Sequence, residues 1–230
     1  MMEAPPLKAR WLGLVDYAET AQRQRQLRES ILGGQGSPEL WLLEHPHTVT
    51  IGRRPGTEKS VLLPEELLRR QGYTLHTVER GGDATYHGPG QLVAYPILDI
   101  RSYGLHVKSW VCALENAGIE FLKSFGIGAA RRKGEPGVWV GVEGADPYPH
   151  SPFPAKVMAL GVHISRNVSI HGIAVNLRTD LSRFGAIVPC GIAEGAVSSV
   201  LELKGEAPSP EQASMDFARC LARVLGVELV

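Results

Sequence analysis

The chain has 230 residues, 43% of them hydrophobic, and its 24 basic and 24 acidic residues give a formal net charge of zero. This length suits one large domain, and the balanced charge argues against a nucleic-acid-binding protein, which normally carries a basic excess or stripe. No apolar run approaches the roughly 20 residues that a membrane helix needs, and the start MMEAPPLKARW lacks the apolar segment of a signal peptide. We therefore expect a soluble cytoplasmic protein with no membrane or nucleic-acid partner and a single domain over residues 1–230, its core at about 11–225.

Helices and strands follow one another irregularly along the chain. In order, the apolar periodicity predicts a helix over 16–32, strands over 40–44 and 48–52, a helix over 61–71, strands over 73–79 and 91–98, a helix over 107–125, strands over 137–142, 155–164 and 168–177, and a last helix over 210–225. The proline-rich segment 143–154 predicts an exposed loop between two paired strands. This order indicates an α/β or α+β fold with a mixed sheet and flanking helices.

Cys190 is the candidate nucleophile among the three cysteines. Reduced thiols are expected, since three cannot all pair and nothing points to secretion. Cys112 and Cys220 fall inside predicted helices, where a buried structural cysteine is the usual case. Cys190 stands between Pro189 and Gly191, outside any helix or strand pattern. Its thiol could face a cleft, although the local pattern leaves open a loop cysteine without chemistry.

A nucleophilic thiol needs a cation beside it. At an ordinary pKa of about 8.5 only a few per cent is thiolate at neutral pH, and a pKa about two units lower makes most of it thiolate. Lys156, at the start of the apolar strand over 155–164, is the leading candidate for that cation. The open alternative is a lysine that extends its ammonium to solvent from a strand end.

The segment RGGDATYHGPGQ at 80–91 is the most glycine-rich of the chain. Two glycine turns can fold the backbone back and expose N–H groups that bind an oxyanion or a substrate carbonyl. The segment lacks the Gly-Lys-Ser/Thr end of a P-loop and the GxGxxG spacing of a dinucleotide site. A plain double turn is the alternative.

The eight histidines do not predict a metal site. His45 and His47 flank Pro46, but no third ligand is spaced to join them. His163 and His171 lie in predicted apolar strands, where histidines more often belong to the core or line a cleft.

The segment R-G-G-D-A-T-Y-H-G-P-G-Q-L-V-A-Y at 80–95 resembles the signature of the lipoyl(octanoyl) transferase family. Further segments resemble that family in the same order: Glu44-His45-Pro46 with Gly52-Arg53, Lys156–Gly161, His171–Asn176 and Val188–Ile192. The matches together cover about residues 11–225. Two departures are Ala155, where members often have a second basic residue, and the long loop at 143–154.

This resemblance implies the fold of biotin and lipoate protein ligase catalytic domains. It implies an acyltransferase that takes an octanoyl group from octanoyl-acyl carrier protein and delivers it to a specific lysine of lipoyl domains in 2-oxoacid dehydrogenases and the glycine cleavage H protein. Cys190 would carry the acyl thioester, and Lys156 would lower the thiol pKa and relay protons. The implied substrate-binding residues are Arg80, Gly81, Gly82, Asp83, Ala84, Thr85, Tyr86, His87, Ala159, Leu160, Gly161, Gly172, Ile173 and Ala174. No cofactor or metal is implied, because the thioester donor already stores the energy for amide formation.

Three other functions remain as alternatives. An ATP-dependent lipoate–protein ligase of the same fold would form an acyl-adenylate and would not need Cys190. A cysteine hydrolase would release free fatty acid. A non-catalytic binding protein on the same fold would form no acyl adduct.

Overall fold

A mixed β-sheet of eight strands forms the centre of the computed structural model, which describes residues 4–188 and 196–230. The strands are β1 (Lys8–Leu14), β2 (Glu39–Glu44), β3 (Thr48–Ile51), β4 (Thr74–Thr77), β5 (Thr85–His87), β6 (Gln91–Asp99), β7 (Ala130–Arg132), β8 (Glu135–Val140), β9 (Ala155–Ser165), β10 (Val168–Asn176) and β11 (Ala196–Val197). The helices are α1 (Tyr17–Leu32), α2 (Glu65–Arg70), α3 (Val107–Lys123), α4 (Val200–Lys204) and α5 (Pro210–Leu225).

The large sheet has the order β1-β2-β6-β10-β9-β8-β7, and β11 pairs with β9 beside this path. The pairs β1–β2 and β9–β11 are parallel, and the others in this sheet are antiparallel. A small sheet, β4-β3-β5, stands apart from it. The mixed sheet predicted from the sequence is thus confirmed.

Helices α3 and α5 cover one face of the large sheet. Trp110, Leu114 and Phe121 of α3 and Phe217 and Leu221 of α5 are fully buried in the main core. Each such side chain stabilises the fold by roughly 1.5–3 kcal/mol relative to an exposed one. This apolar stripe is the one that the spacing in 107–125 and 210–225 predicts.

Helix α1 lies on the opposite face, over a smaller and more polar core. Trp41, Tyr95 and Ile170 pack there against Leu27 and Ile31 of α1. Tyr17 and Gln24 of α1 are buried on this face and add polar atoms to it.

The predicted elements are confirmed, with boundary shifts, and several short ones were missed. The helix expected over 61–71 is shortened to α2, because Pro64 fixes its start and a 3₁₀ turn at Thr57–Ser60 precedes it. Strands β1, β5, β7 and β11 and helix α4 were not predicted, since two to seven residues carry too little periodicity.

Cys112 and Cys220 differ in how far they are buried. Cys220 is buried, as predicted, and burial raises the pKa of its thiol. Cys112 is only half-buried, so the expectation of a fully buried residue was wrong. Within the described residues, no helix has both the length and the apolar character to cross a membrane.

A stability prediction follows from the close contact of β6 and β10. A Cβ at Gly172 would lie 2.1 Å from the Ala94 carbonyl oxygen, whereas a Cβ at Gly185 would meet no heavy atom within 4 Å. Gly172→Ala should therefore lower the free energy of unfolding by about 3 kcal/mol or more, because backbone atoms would have to move apart. Chemical denaturation of Gly172→Ala and the control Gly185→Ala measures the difference, and equal stabilities would contradict the close-contact argument.

Candidate active site

A cavity of about 400 Å³ opens beside strands β9 and β10. This volume lies within the range of small-molecule sites, about 300–1,000 Å³. The residues predicted from the sequence that line it are Arg80, Gly81, Gly82, Asp83, Ala84, Thr85, His87, Lys156, Ala159, Leu160, Gly161, Gly172, Ile173 and Ala174. Segments more than 70 positions apart along the chain therefore meet in one site.

Cross-strand pairs of small residues line part of the cavity. Gly161 on β9 pairs with Gly172 on β10, and Ala159 pairs with Ala174. Because paired residues lie directly opposite each other, these four present a shallow surface with almost no side-chain bulk. We call them the small-residue trough. A linear apolar group could lie along it.

The loop after β4 is held over this trough by Arg80. Its Nε and Nη2 donate to the Thr50 hydroxyl, at 3.1 and 2.8 Å, and Nη2 also donates to the Thr50 carbonyl. Gly81 N–H donates to the Val162 carbonyl at 3.0 Å, which ties the loop to β9. A Cβ at Gly161 would lie 3.0 Å from the Arg80 Cδ, so the trough also needs glycine to admit this side chain.

The structure bears on two expectations for the glycine-rich segment. The N–H of Gly81 bonds to Val162 and that of Ala84 bonds to the Asp83 carboxylate, so neither is left for an oxyanion. Tyr86, expected to bind substrate, is fully buried and does not line the cavity. Strand alternation in β5 turns it away from Thr85 and His87, into a second core where it contacts Phe184.

Lys156 is one of the few buried charged residues, with 6% of its surface exposed. Its Nζ lies 4.6 Å from the centre of the Trp139 ring. Trp139 pairs with Lys156 across β8 and β9, so the strand register brings ring and ammonium together. A Cβ at Gly137 would lie 3.3 Å from the Lys156 Cε, and the bare backbone there leaves space for the lysine chain. The sequence-based alternative, an ammonium extended to solvent, is wrong.

Cys190 lies outside the described residues. The described residues on either side are Val188, whose N–H donates to the Ser60 carbonyl, and Ala196, which pairs with Ala155. Val197 pairs with Lys156, and the Ser198 N–H donates to the Lys156 carbonyl at 3.0 Å. The chain on the C-terminal side of the cysteine segment therefore runs alongside Lys156.

Tyr17 and Tyr95 also line the cavity, and the sequence reasoning did not single them out. Both are nearly fully buried, as is His171. The Tyr17 hydroxyl lies 3.5 Å from the His171 Nδ1. Tyr95 is the last residue of the segment 80–95, which was a signal for it, whereas Tyr17 stands in a polar helix with no signal of its own.

His45 and His47, which flank Pro46 in the sequence, have different hydrogen-bond partners. His45 Nδ1–H donates to the Val15 carbonyl, and its Nε2 bonds to the Tyr95 hydroxyl at 2.9 Å. His47 bonds instead to the Tyr86 hydroxyl. In the described part of the chain no group of three His, Cys, Asp or Glu side chains is arranged to hold a metal ion.

A chain of hydrogen bonds fixes the tautomer of His87. Its Nδ1–H donates to the Gln91 Oε1 at 2.8 Å, and the Gln91 Nε2 donates to the Asn176 Oδ1 at 2.9 Å. Asn176 in turn donates to the Ser198 carbonyl. This network links β5, β6 and β10 to the residue that follows β11, so it joins His87 to the segment beside Lys156.

The family model of the lipoyl protein ligase A/B catalytic domain matches residues 16–222. The chain belongs to this family. An octanoyltransferase from Solibacter usitatus is 42% identical over 221 residues, 96% of this chain and 94% of that protein. An octanoyltransferase from Acidobacterium capsulatum is 42% identical over 228 residues, covering 95% and 90%.

Solved structures share the fold of this family at low sequence identity. A bipartite lipoate protein ligase from Thermoplasma acidophilum has a TM-score of 0.68 at 18% identity, over 100% of this chain and 86% of that one. A biotin protein ligase from Aquifex aeolicus, in complex with biotin and ATP, has a TM-score of 0.52 at 15% identity, over 95% and 70%. The predicted biotin and lipoate ligase fold is confirmed.

Burial keeps three imidazoles neutral, those of His87 and His171, which line the cavity, and that of His45, which bonds to the cavity residue Tyr95. Burial lowers the pKa of His45 to about 4 and the pKa values of His87 and His171 to about 3, from an ordinary 6.5. A neutral His87 with Nδ1 protonated has a lone pair on Nε2. These side chains therefore act in the site as hydrogen-bonding groups without charge.

Acid should destabilise the protein through these histidines. Below about pH 6.5 these three imidazoles become protonated in the unfolded chain. In the folded protein they stay neutral down to about pH 3–4. The free energy of unfolding should fall over this range by up to about 1.4 kcal/mol per pH unit for each of the three. Denaturant titrations at several pH values should show a shallower slope near pH 5 for His45→Gln than for the parent protein. The exposed His150→Gln is the control, and equal slopes for both variants would disprove the assignment.

Proposed function

We propose that this protein transfers an octanoyl group from octanoyl-acyl carrier protein to a specific lysine of a lipoyl domain in the cytoplasm, through a thioester on Cys190. The octanoyltransferases that match nearly the whole chain support octanoyl transfer as the reaction. The observation that carries the proposal is the cavity itself, in which an apolar small-residue trough and a buried lysine occur together.

The small-residue trough suits an unbranched acyl chain. At the paired positions the lining carries little side-chain volume, since Ala159 and Ala174 have only methyl groups and Gly161 and Gly172 have none. Burying an eight-carbon chain there would contribute about 5 kcal/mol, at about 0.8 kcal/mol per CH₂. That gain is sufficient to favour octanoyl over much shorter acyl groups.

The reaction divides into two transfers that need no external energy source. In the first, the Cys190 thiolate attacks the donor carbonyl, a new C–S bond forms, and the carrier thiol leaves after taking a proton. In the second, the neutral amine of the acceptor lysine attacks the enzyme thioester, an amide C–N bond forms, and the Cys190 sulfur leaves. Splitting one difficult step into two easier ones is the usual advantage of a covalent intermediate.

Lys156 would supply a proton to the departing carrier thiolate in the first transfer and recover one from the attacking amine in the second. An ammonium near the thiol favours the thiolate and can protonate the departing carrier thiol. The Trp139 ring supports this assignment, because a cation over an aromatic face is stabilised by the ring quadrupole. The pairing of Val197 with Lys156 supports it too, since the chain beyond the Cys190 segment lies against the lysine strand.

The decisive experiment is intact-mass analysis after mixing the protein with octanoyl-acyl carrier protein. The parent protein should gain one octanoyl mass increment, and a lipoyl domain added afterwards should remove it and become octanoylated. Cys190→Ser should show no thioester adduct, while Cys220→Ser, a change at a buried cysteine in α5, should retain it.

Other outcomes of that experiment identify the alternatives. Full activity of Cys190→Ala with lipoate and ATP would show a ligase, and release of free octanoate would show a hydrolase. No adduct and no transfer with any acyl donor would overturn the proposal in favour of a binding protein.

The contact between Trp139 and Lys156 yields a further prediction. Trp139→Leu should lower the kcat of octanoyl transfer between about twofold and thirtyfold, because the cation–π contact is worth about 0.5–2 kcal/mol. Trp139→Phe keeps an aromatic ring, so its kcat should fall clearly less. Steady-state kinetics of both variants test the point, and equal losses would show that the indole acts through packing alone.

A further inference from the structure

Glu115 of α3 is a buried carboxylate that lies outside the cavity. Among the residues that the structure describes it is the one buried Asp or Glu, with 5% of its surface exposed, and it does not line the cavity. Carboxylates are almost never buried unless they are paired, because the charged form loses its hydration. The proposed transfer gives Glu115 no role, so its burial has to be explained by the groups that it binds.

Both carboxylate oxygens of Glu115 bind the hairpin formed by β7 and β8. Oε1 accepts from the Gly137 N–H of β8 at 3.0 Å, and Oε2 accepts from the Arg131 Nε of β7 at 2.8 Å. Arg131 Nη2 also donates to the Cys112 carbonyl and to the Asn116 Oδ1 of α3. Because β7 is the last strand in the order of the large sheet, these bonds attach an edge hairpin to α3.

Gly137 lies directly against Lys156. Its φ of +127° is a conformation that glycine adopts without the strain of a side chain. A Cβ there would lie 2.5 Å from the Met158 carbonyl oxygen and 3.3 Å from the Lys156 Cε. The bond from Glu115 therefore fixes a piece of backbone that borders the lysine side chain.

The pairing of β8 with β9 is irregular at the same point. Val138 pairs with Met158 and Trp139 pairs with Lys156, so β8 advances by one residue where β9 advances by two. Such a bulge disrupts the ladder of hydrogen bonds locally and changes the direction of the side chains beside it. The ladder alone therefore holds Trp139 and Lys156 less firmly here, and the bond from α3 supplies an additional anchor.

We infer that Glu115 is a positioning residue for Lys156. Its bond to the Gly137 N–H holds the β8 backbone, so that Gly137 packs against the lysine chain and the Trp139 ring lies against the ammonium. The carboxylate is outside the cavity lining and so acts through the lysine, not on the acyl group. Accurate placement matters, because a displacement of about 1 Å at a reacting group can lower a rate by about a hundredfold.

The inference rests on the proposed octanoyl transfer, and two uncharged side chains of similar length test it. Glu115→Met removes the acceptor for the Gly137 N–H, whereas Glu115→Gln keeps one. Both lose the ion pair with Arg131, so the difference between them isolates the bond to Gly137. In single-turnover octanoylation followed by intact mass, the rate should fall by about tenfold to a hundredfold in Glu115→Met and by less than about threefold in Glu115→Gln. Equal rates for the two variants would overturn the inference.

Glu120→Met is the matched control. Glu120 lies on the same helix, but it is partly exposed and pairs with Arg223 of α5 instead of with the hairpin. Its acylation rate should equal that of the parent protein. Circular dichroism checks that each variant folds. If Glu115→Met does not fold, Glu115→Asp carries the test, because it keeps the charge but is one CH₂ shorter. Its rate should fall below that of Glu115→Gln, and a rate equal to the parent's would count against the inference.

A double-mutant cycle with Lys156→Met separates positioning from a general structural role. In the absence of the lysine, Glu115→Met should slow acylation by less than about twofold further, because the two changes act through one group. A loss in that background as large as in the parent protein would show that Glu115 supports the fold or the cavity mouth, and the inference would be wrong.

Lysine acetylation separates this inference from the proposed function. Lys156 is buried, so it should react with acetic anhydride more slowly than the exposed Lys59. In Glu115→Met its reaction should become about tenfold faster while that of Lys59 is unchanged, as peptide mass spectrometry can measure. If no acyl donor is used but this change occurs, the transfer proposal fails and the positioning role stands. If transfer occurs and Glu115→Met matches Glu115→Gln in both acylation and acetylation, the positioning role fails and the transfer proposal stands.

Discussion

The close approach of backbones around β9 and β10 is the constraint on which the rest of the structure depends. Gly161 pairs with Gly172 across the two strands. A Cβ at Gly161 would crowd the Arg80 side chain, and a Cβ at Gly172 would collide with the Ala94 carbonyl oxygen. A Cβ at Gly52 would likewise lie 2.2 Å from the Gly82 carbonyl oxygen. Glycine at these positions lets the Arg80 loop and the neighbouring strand occupy space that a side chain would otherwise fill.

Two opposite electrostatic demands are met within this one cavity. Lys156 is buried as a cation over the Trp139 ring, which replaces part of the hydration that it loses. His87 and His171 are buried without charge, because burial favours the neutral imidazole and their neighbours include Arg80. The cavity thus combines one buried lysine with histidines that burial keeps uncharged.

A hydrogen-bond network from His87 to Ser198 joins the neutral His87 to the segment beside Lys156. It passes through Gln91 and Asn176, each fixed by contacts on both sides, and reaches the residue whose N–H bonds to the Lys156 carbonyl. A fully connected buried network of this kind stiffens the elements that it links. The network therefore ties β5 of the small sheet to β6 and β10 of the large sheet, although these strands come from distant parts of the chain.

Much of this protein could be predicted from its sequence, because the longer helices and strands repeat apolar residues at 3.6 or 2 positions over many residues. The motif at 80–95 and the segments at Lys156 and His171 also sufficed to predict the family and most residues of the cavity. Local pattern could not decide that Tyr86 leaves the cavity, that Tyr17 and Tyr95 enter it, or that Lys156 lies over Trp139. Those outcomes depend on strand register and on the packing of α1 against β10. The sequence by itself determined the longer helices and strands and the family. The tertiary structure decided which side chains meet, because contacts between distant residues leave no periodic signal in the chain.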